Sequence, residues 1–270
     1  MKALFKQACP NCRGDIGDDR LLLGLPCSKC LSDVEVEGLL KKAEEGGDLK
    51  SLIVEALKEK NLLKRYREVA SSHLSIKEFE DFFRKALGLP LWRAQRTWAK
   101  RVLSKRSFAI VAPTGVGKTV FGLAMAAFLA SRGQRCYIVS PTTLLVEQAR
   151  RRLEQIVDSA GLRLNIAYYS AALHKAEREE EAKKIRARRF DILVTTSSFL
   201  ARHFDQLKRA RFGFIFVDDV DAILKSSKNI DRVLALLGFK QDEVDTALEL
   251  IKQRIEVARL ARQHRGREQE

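Results

Sequence analysis

Short apolar runs alternate with longer stretches of helical periodicity through the middle of the chain. The runs are rich in β-branched and aromatic residues and stand at 108–111, 137–139, 192–194 and 214–217. Strands that alternate with helices form a parallel sheet covered on both faces. Such sheets bind ligands beyond the carboxyl ends of their strands. The pattern therefore predicts an α/β domain whose ligand-binding site is formed by the residues that follow the apolar runs.

A glycine-rich motif follows the first run and leads into an apolar helical segment, residues 120–130. The motif reads Ala112-Pro113-Thr114-Gly115-Val116-Gly117-Lys118-Thr119. In a phosphate-binding loop the glycines let backbone N–H groups turn toward the phosphates, the lysine reaches the β/γ oxygens and the hydroxyl residue binds Mg2+. We therefore predict that ATP binds residues 114–119, with Lys118 as a catalytic residue and Thr119 on Mg2+. Ala112 stands where the strict motif has glycine, and a chance glycine-rich turn is the alternative.

Carboxylates follow the last run, in the sequence Asp218-Asp219-Val220-Asp221. In domains with a phosphate-binding loop, a carboxylate at the end of an apolar strand is the partner on the Mg2+ side. We expect Asp218 to hold Mg2+ and Asp219 to orient or deprotonate the attacking water. The alternative is a solvated acidic pair without a function, which is common after strands. The glycine-rich motif upstream favours the functional interpretation, because a phosphate-binding loop and a Mg2+-side carboxylate each require the other in the same site.

Hydroxyl residues follow the two middle runs, as Pro141-Thr142-Thr143 and as Thr195-Thr196. Hydroxyls and backbone amides at strand ends can bind a phosphodiester backbone without reading bases. These five residues are therefore candidate DNA contacts. N-capping of the next helix is the alternative, and both roles are compatible. The basic run 183–189 is either a further DNA contact or the solvated end of a charged helix.

Four of the five cysteines lie in the first thirty residues, as Cys9 and Cys12, then Cys27 and Cys30. Two C-x2-C pairs with fourteen residues between them can close a tetrahedron around Zn2+. Two disulfides are the alternative, which an intracellular chain disfavours. A segment this short needs the metal to fold, so we predict a zinc ribbon over residues 1–40. Residues 21–23 supply a short strand or core contact, and Cys136 is a buried core thiol.

The remaining segments are helical in pattern. Residues 41–87 form a helical linker with a break at Gly46-Gly47, and residues 88–240 form the α/β domain. Residues 241–270 form an amphipathic tail, with apolar residues at 244, 248, 251, 255 and 258. Such a helix packs on its own domain or marks where a partner polypeptide docks.

The charge balance favours a polyanionic partner. Lys and Arg number 50 against 35 Asp and Glu, a net charge of +15, which supports salt-dependent binding of DNA. A heat-adapted charged surface is the alternative. No apolar run approaches the ~18–20 residues of a membrane span, and there is no signal-peptide pattern. We expect a cytoplasmic, nucleoid-associated protein without a membrane partner.

These motifs, in this order, resemble the first RecA-like domain of a superfamily 2 helicase. The zinc ribbon, the segment 92–100, the loop 112–119 and the acidic motif 218–221 together resemble the reverse gyrase family over nearly the whole chain. The resemblance implies a RecA-like P-loop NTPase fold with ATP, Mg2+ and Zn2+ as cofactors, in a hyperthermophile. It implies that Gln95 reads adenine. It also implies that Phe79, Phe82 or Phe83 stacks on the base, although core packing is the better interpretation for any one of them.

The resemblance also sets an expectation about activity. In the family, closure of two RecA-like domains drives a type IA topoisomerase that introduces positive supercoils. The 270 residues hold neither a second RecA-like domain with its arginine finger nor a topoisomerase module. We therefore expect a truncated or split enzyme that binds ATP and DNA, turns over ATP weakly alone and needs a second polypeptide. The alternatives are a non-catalytic DNA-binding module with a nucleotide switch and a stand-alone subunit of another superfamily 2 helicase.

Overall fold

The computed structural model describes residues 3–221 and 227–267. The chain divides into two compact units. The first comprises Met1–Asp81 and Pro90–Ile110, and the second comprises Phe82–Leu89 and Val111–Glu270. The domain limits expected from the sequence, 1–40, 41–87, 88–240 and 241–270, stay a prediction.

The first unit joins a small hairpin to a set of helices. Strands β1 (Leu4–Phe5) and β2 (Ile16–Gly17) pair in antiparallel register. The helices are α1 (Asp18–Leu22), α2 (Asp33–Glu44), α3 (Leu49–Glu59), α4 (Tyr66–Leu87), whose last residues belong to the second unit, and α5 (Arg93–Leu103).

Local caps explain where the second and third helices begin. Ser32 and Glu35 form a capping box at the start of α2, and the Asp48 side chain accepts a hydrogen bond from the Ser51 amide at the start of α3. These contacts satisfy backbone N–H groups that the first helical turn leaves unpaired. The predicted break at Gly46-Gly47 is confirmed, because it lies between these two helices.

An apolar core joins the cysteine-rich segment of the first unit to the helices that follow it. Its buried members come from the cysteine-rich segment, α2, α3 and the start of α4: Cys9, Ile16, Leu25, Cys27, Cys30, Leu31, Val36, Ile53, Leu57 and Tyr66. The prediction for residues 21–23 is only partly right. These residues form the end of α1 and its C-cap, Leu21 packs against the core, and Leu22 is 86% exposed.

The second unit is built on a four-stranded parallel sheet with the order β4-β5-β3-β6. The strands are β3 (Cys136–Ser140), β4 (Ile166–Tyr168), β5 (Ile192–Thr196) and β6 (Phe214–Val217). In register, Cys136 lies opposite both Ile192 and Phe214. The predicted α/β class, the parallel sheet and three of the four predicted strands are confirmed.

The described helices of this unit are α6 (Lys118–Ala130), α7 (Thr143–Ala160), α8 (Lys175–Arg186), α9 (Ser197–Leu207), α10 (Ser227–Leu236) and α11 (Gln241–Arg267). Helix α6 is buried at every residue from Phe121 to Ala130. Gly122 permits this packing, because a Cβ there would lie within 3.0 Å of the Phe216 ring.

Two strand assignments differ from the sequence expectation. Residues 108–111 form no strand, and the side chain of Val111 is 97% exposed. A strand requires a hydrogen-bonded neighbour, which an apolar run alone does not specify. Strand β4, in contrast, was not predicted, because alanine, which has a low strand propensity, separates its only two strand-favouring residues, Ile166 and Tyr168. Cys136 is buried as predicted, and burial raises its pKa to about 12.

The tail forms a helix, as its periodicity predicts. Four members of its apolar stripe remain exposed: Ala258, Leu248 at 50%, Ile251 at 53% and Ile255 at 63%. The stripe is therefore not packed on its own unit in this structure. Among the described residues, no helix combines the length and apolarity that crossing a bilayer requires.

Candidate functional site

The glycine-rich motif forms a tight loop that ends at α6. Gly115 and Gly117 adopt φ angles of 81° and 79°, in the left-handed region that strains residues with a Cβ. Gly117 is the N-cap of α6, which begins at Lys118. The free N–H groups at the start of a helix favour an anion, and a phosphate is the anion that this loop geometry suits.

The Lys118 ammonium group lies over the loop itself. Its Nζ donates to the carbonyl oxygens of Ala112 at 2.6 Å and Pro113 at 3.1 Å. Lys118 is therefore held at the loop that the sequence predicts to bind phosphates. Thr114 is exposed there, and Val116 is half-buried.

Thr119 joins the glycine-rich loop to the acidic motif. Its Oγ1 donates to Asp218 Oδ1 at 2.6 Å, across 99 positions of sequence. The Asp218 amide donates to the Val139 carbonyl at 3.0 Å, which fixes Asp218 beyond the end of β6 and beside β3. The two motifs thus meet at the carboxyl edge of the sheet, as their sequence positions led us to expect.

The two carboxylates of the motif have different surroundings. Burial raises the pKa of the Asp218 carboxyl above its usual range; the charge of Asp219 adds to this rise, whereas the Thr119 hydroxyl and the Lys118 charge oppose it. Asp219 is exposed, and its Oδ1 accepts a hydrogen bond from the Asp221 amide at 3.0 Å. A bound cation would reverse the effect on Asp218, because it stabilises the charged carboxylate.

Gln95 lies in α5, in the first unit, and is 6% exposed. Its Oε1 accepts a hydrogen bond from the Trp92 amide at 3.4 Å, which caps its own helix. Its adenine-reading role stays a prediction. Phe79 and Phe83 are buried, in agreement with core packing, and the Phe82 ring lies 5.5 Å from that of Phe128.

The two hydroxyl motifs line one groove of about 280 Å3 at the carboxyl edge of the sheet. Its walls comprise Pro141, Thr142, Thr143, Tyr169, Ala171, Thr196, Ser198, Phe199 and Arg202. Thr142 and Thr196 also cap α7 and α9, accepting hydrogen bonds from Leu145 and Phe199 amides at 3.3 and 3.2 Å. The structure places Thr195 elsewhere: it is fully buried, with its hydroxyl 2.7 Å from that of Tyr137.

The sequence analysis did not predict Tyr169 and Arg202, the aromatic and the basic side chain of this groove. The Tyr169 ring lies 4.5 Å from that of Phe199, so an aromatic surface adjoins the hydroxyls. Arg202 brings a guanidinium group whose Nε donates to the Ser198 carbonyl at 3.3 Å. Tyr169 follows β4, the strand that the sequence did not reveal. Arg202 lies four residues after Ser198, on the same helical face, and that spacing could have identified it.

The four amino-terminal cysteines converge. Their sulfur atoms lie within 4.8 Å of one another, and all four thiols are free. The Cys12 and Cys27 sulfurs are 3.5 Å apart, and those of Cys27 and Cys30 are 3.8 Å apart. A tetrahedron with Zn–S bonds of ~2.3 Å has S···S edges of about 3.8 Å. The cluster therefore fits Zn2+ with small adjustments.

Backbone amides surround these thiols. Gly14 N donates to Cys12 Sγ and Cys27 N donates to Cys9 Sγ, each at 3.3 Å. Burial raises the pKa of Cys9, but hydrogen bonds from the backbone of Cys12, Cys27 and Asn11 outweigh it and lower the pKa to about 7. Donors of this kind stabilise the Cys9 thiolate, whereas burial raises the pKa of Cys27 and Cys30.

Asn11 connects the cluster to the helical segment that follows. It is 1% exposed, and its Nδ2 donates to Cys30 Sγ at 3.3 Å and to the Leu62 carbonyl at 2.8 Å. Its Oδ1 accepts from the Lys64 amide at 2.9 Å. Sequence reasoning missed this residue, although it stands inside the first C-x2-C pair.

Two family models match this chain. The reverse gyrase zinc finger model matches residues 1–46, and the DEAD/DEAH box helicase model matches residues 92–254. The reverse gyrase of Pyrococcus furiosus is 44% identical over 96% of this chain and 21% of its own length. Reverse gyrase 1 of Aquifex aeolicus is 42% identical over 93% of this chain and 20% of its own length. The chain thus spans about a fifth of the length of these relatives.

A solved structure of the Mycobacterium smegmatis helicase Lhr bound to ssDNA and AMP-PNP covers 59% of this chain and 23% of its own, with a TM-score of 0.48 and 20% identity. That likeness is too distant to assign anything to this chain. The helicase family model, in contrast, covers more than half of the chain. The chain belongs to the DEAD/DEAH box helicase family, and its first 46 residues carry the reverse gyrase zinc finger.

Proposed function

We propose that this chain is the zinc-ribbon and first RecA-like part of a reverse-gyrase-type enzyme. It binds ATP with Mg2+ and DNA, and it supplies one half of an ATPase site. A second RecA-like domain, on the same or another polypeptide, supplies the other half, and a topoisomerase module uses the resulting motion to introduce positive supercoils. The Thr119–Asp218 hydrogen bond carries the proposal, because it unites the loop and the acidic motif in one site.

On the nucleotide side, the amides of the loop and of the first turn of α6 receive the phosphates. The Lys118 ammonium exchanges the carbonyls of Ala112 and Pro113 for phosphate oxygens, a movement that its flexible side chain permits. Gln95 contributes adenine recognition. The positive-φ glycines keep the loop backbone free of side chains, so that the phosphates can approach closely.

Thr119 and Asp218 are the residues that would hold Mg2+, which in phosphoryl transfer neutralises charge developing on the phosphates. Their oxygens already lie 2.6 Å apart. Asp219, the next residue, is exposed, and we assign it the role of orienting the attacking water or accepting its proton. An arginine from a second domain is worth ~10³–10⁵ in rate in related systems, so we expect slow turnover by this chain alone.

At the first unit, Cys9, Cys12, Cys27 and Cys30 would hold Zn2+, which supplies folding free energy to a segment with little core of its own. At the sheet edge, the groove receives DNA. Thr142, Thr143 and Thr196 contact phosphates, Arg202 adds a positive charge and Tyr169 offers a ring for base stacking.

Nucleotide binding tests the proposal. A fluorescent ATP analogue should bind the purified chain with Mg2+, and Lys118→Ala should weaken it at least tenfold. Lys175→Ala is the matched control, because Lys175 is an exposed lysine at the start of α8. Equal affinity of the wild type and Lys118→Ala would refute the nucleotide site.

Hydrolysis separates the proposal from its alternatives. ATP turnover measured with and without DNA should be low for this chain and should rise when a reverse-gyrase second RecA-like domain is added. Nucleotide binding that never leads to turnover, even with that domain present, would favour a nucleotide switch.

A further inference from the structure

A basic surface lies at the amino edge of the sheet, away from the site described above. It is formed by the residues that precede β5 and β6, and we call it the arginine patch: Arg186, Arg188, Arg189, Lys208, Arg209 and Arg211. A cavity of about 320 Å3 opens within it, lined by Arg186, Arg188, Asp205, Gln206 and Arg209.

The sheet separates this patch from the nucleotide site. In parallel strands, residues that precede each strand lie at one edge and residues that follow lie at the other. Strand β5 has five residues, so a rise of ~3.3 Å per residue places the two edges about 16 Å apart. The patch and the groove at Thr196 therefore present two different surfaces.

The patch is strongly positive. Residues 186–189 and 205–211 hold six cations and one carboxylate, Asp205, which pairs with Lys208 at 2.6 Å. All six cations are exposed. Within the described residues, no carboxylate lies within ion-pair distance of the five arginines. Lys184, upstream in the same basic run, differs because it pairs with Glu180 and Glu181.

Hydrogen bonds hold the two loops of the patch together. Arg188 Nη1 donates to the Arg209 carbonyl at 3.1 Å. Arg135, which precedes β3, also links the same loops: it donates to the carbonyls of Phe190 at 3.3 Å and Ala210 at 2.7 Å. The exposed guanidinium groups are thus anchored on a fixed backbone, and planar guanidinium groups bind phosphate oxygens in a bidentate manner.

We propose that the arginine patch is a second DNA-binding surface, which contacts the phosphate backbone of duplex DNA independently of the nucleotide. The proposal rests on the proposed function only in taking DNA as the ligand. Duplex DNA carries a negative charge every ~1.7 Å along its axis, so a cluster of closely spaced cations can contact several phosphates at once. A segment held here would lie on the opposite edge of the sheet from DNA in the groove.

Salt-dependent binding of a labelled 30-base-pair duplex tests the patch. The variant Arg186→Gln/Arg189→Gln/Arg209→Gln keeps the side-chain stems and spares Arg188. Its control, Lys228→Gln/Lys240→Gln/Lys252→Gln, removes the same charge from exposed positions of α10, α11 and the turn between them. The slope of log K against log salt is negative, and each lost phosphate contact reduces its magnitude by ~0.9. We expect the magnitude of the slope to decrease by about 2 to 3 in the patch variant and by less than 1 in the control.

Unchanged thermal unfolding and unchanged binding of the ATP analogue in both variants would show that the fold and the nucleotide site are intact. Equal slopes for the two variants would overturn the proposal. So would a patch variant that keeps its affinity for duplex DNA but loses binding to an acidic peptide, because the partner would then be a protein. Lys118→Ala should leave the duplex slope unchanged, so failure of the nucleotide site and failure of the patch are distinguishable.

Discussion

The Asn11 side chain donates to the sulfur of Cys30 at 3.3 Å and to the carbonyl of Leu62 at 2.8 Å. One buried amide thus orients a candidate metal ligand and attaches it to the chain that leads into α4. Groups that orient metal ligands typically contribute 10- to 100-fold to metal affinity.

We therefore expect Asn11→Ala to weaken zinc binding by about 10- to 100-fold and to lower the free energy of unfolding by ~1–3 kcal/mol, because partners of Asn11 lose their hydrogen bonds. Zinc transfer to a chromophoric chelator and thermal unfolding measure the two effects. Gln155→Ala, at an exposed amide on α7, should change neither. If Asn11→Ala retained wild-type zinc affinity, the orienting role would be wrong.

Gly122→Ala should destabilise the second unit by ~1–3 kcal/mol, because the new methyl group overlaps the Phe216 ring and forces the helix or the ring to move. Gly38→Ala is the matched control: it also lies in a helix, but its Cβ meets no atom within 4 Å. That substitution should stabilise α2 by up to ~1 kcal/mol through helix propensity. Chemical denaturation compares the two, and equal effects would contradict the packing account.

Asp218→Asn should stabilise the nucleotide-free chain at neutral pH. Because burial raises the pKa of Asp218 in the folded state, the folded chain binds the proton more tightly than the unfolded chain does. The stabilisation from protonation is therefore complete below the unfolded pKa of ~3.9 and is lost as pH rises through the folded pKa. The advantage of the variant should accordingly shrink as pH falls from 7 toward 4.

Free energies of unfolding measured across that range provide the test. Asp205→Asn is the control with the opposite sign, because the hydrogen bond from Lys208 lowers the pKa of Asp205. It should give no gain at pH 7. A stability difference between Asp218→Asn and the wild type that did not change with pH would exclude the titration of Asp218 as the cause.

Tyr169→Leu should weaken binding of an oligo-dT strand by about 5- to 150-fold, since base stacking on an aromatic ring contributes ~1–3 kcal/mol. The leucine keeps apolar contact with Phe199 but offers no ring. Phe239→Leu, at a half-exposed aromatic residue outside the groove, should have no effect. Fluorescence anisotropy of the labelled strand measures the affinity of both variants. An unaltered affinity in Tyr169→Leu would show that the bases do not stack on Tyr169.

The parts of the fold that sequence predicts are those with strong local signals. The strands at Tyr137, Leu193 and Ile215 stand out because they are continuous apolar runs. The glycines at 115 and 117 indicate the loop because glycine adopts its left-handed backbone without the strain that a Cβ brings. The cysteine spacing likewise predicts the cluster from the chemistry of its ligands alone.

The parts that sequence does not predict depend on distant partners. Residues 108–111 have strand composition but form no strand, because pairing is decided by neighbours far along the chain. Tyr169 becomes a groove residue only when β4 is in place. Thr195 and Thr196 are adjacent and chemically alike, yet strand alternation buries the first hydroxyl and leaves the second in the groove.

Helix α6, which carries Lys118 and Thr119 at its start, is buried over ten consecutive residues. A helix packed in this way has little conformational entropy left to lose when a ligand arrives at its end. Little of the free energy gained from contacts between its first turn and a phosphate is therefore spent on ordering the protein, and nearly all of it contributes to the affinity. The loop before the helix lacks this packing, so substitutions there should alter the rate of nucleotide capture more than conservative substitutions among the buried residues 121–130 of α6.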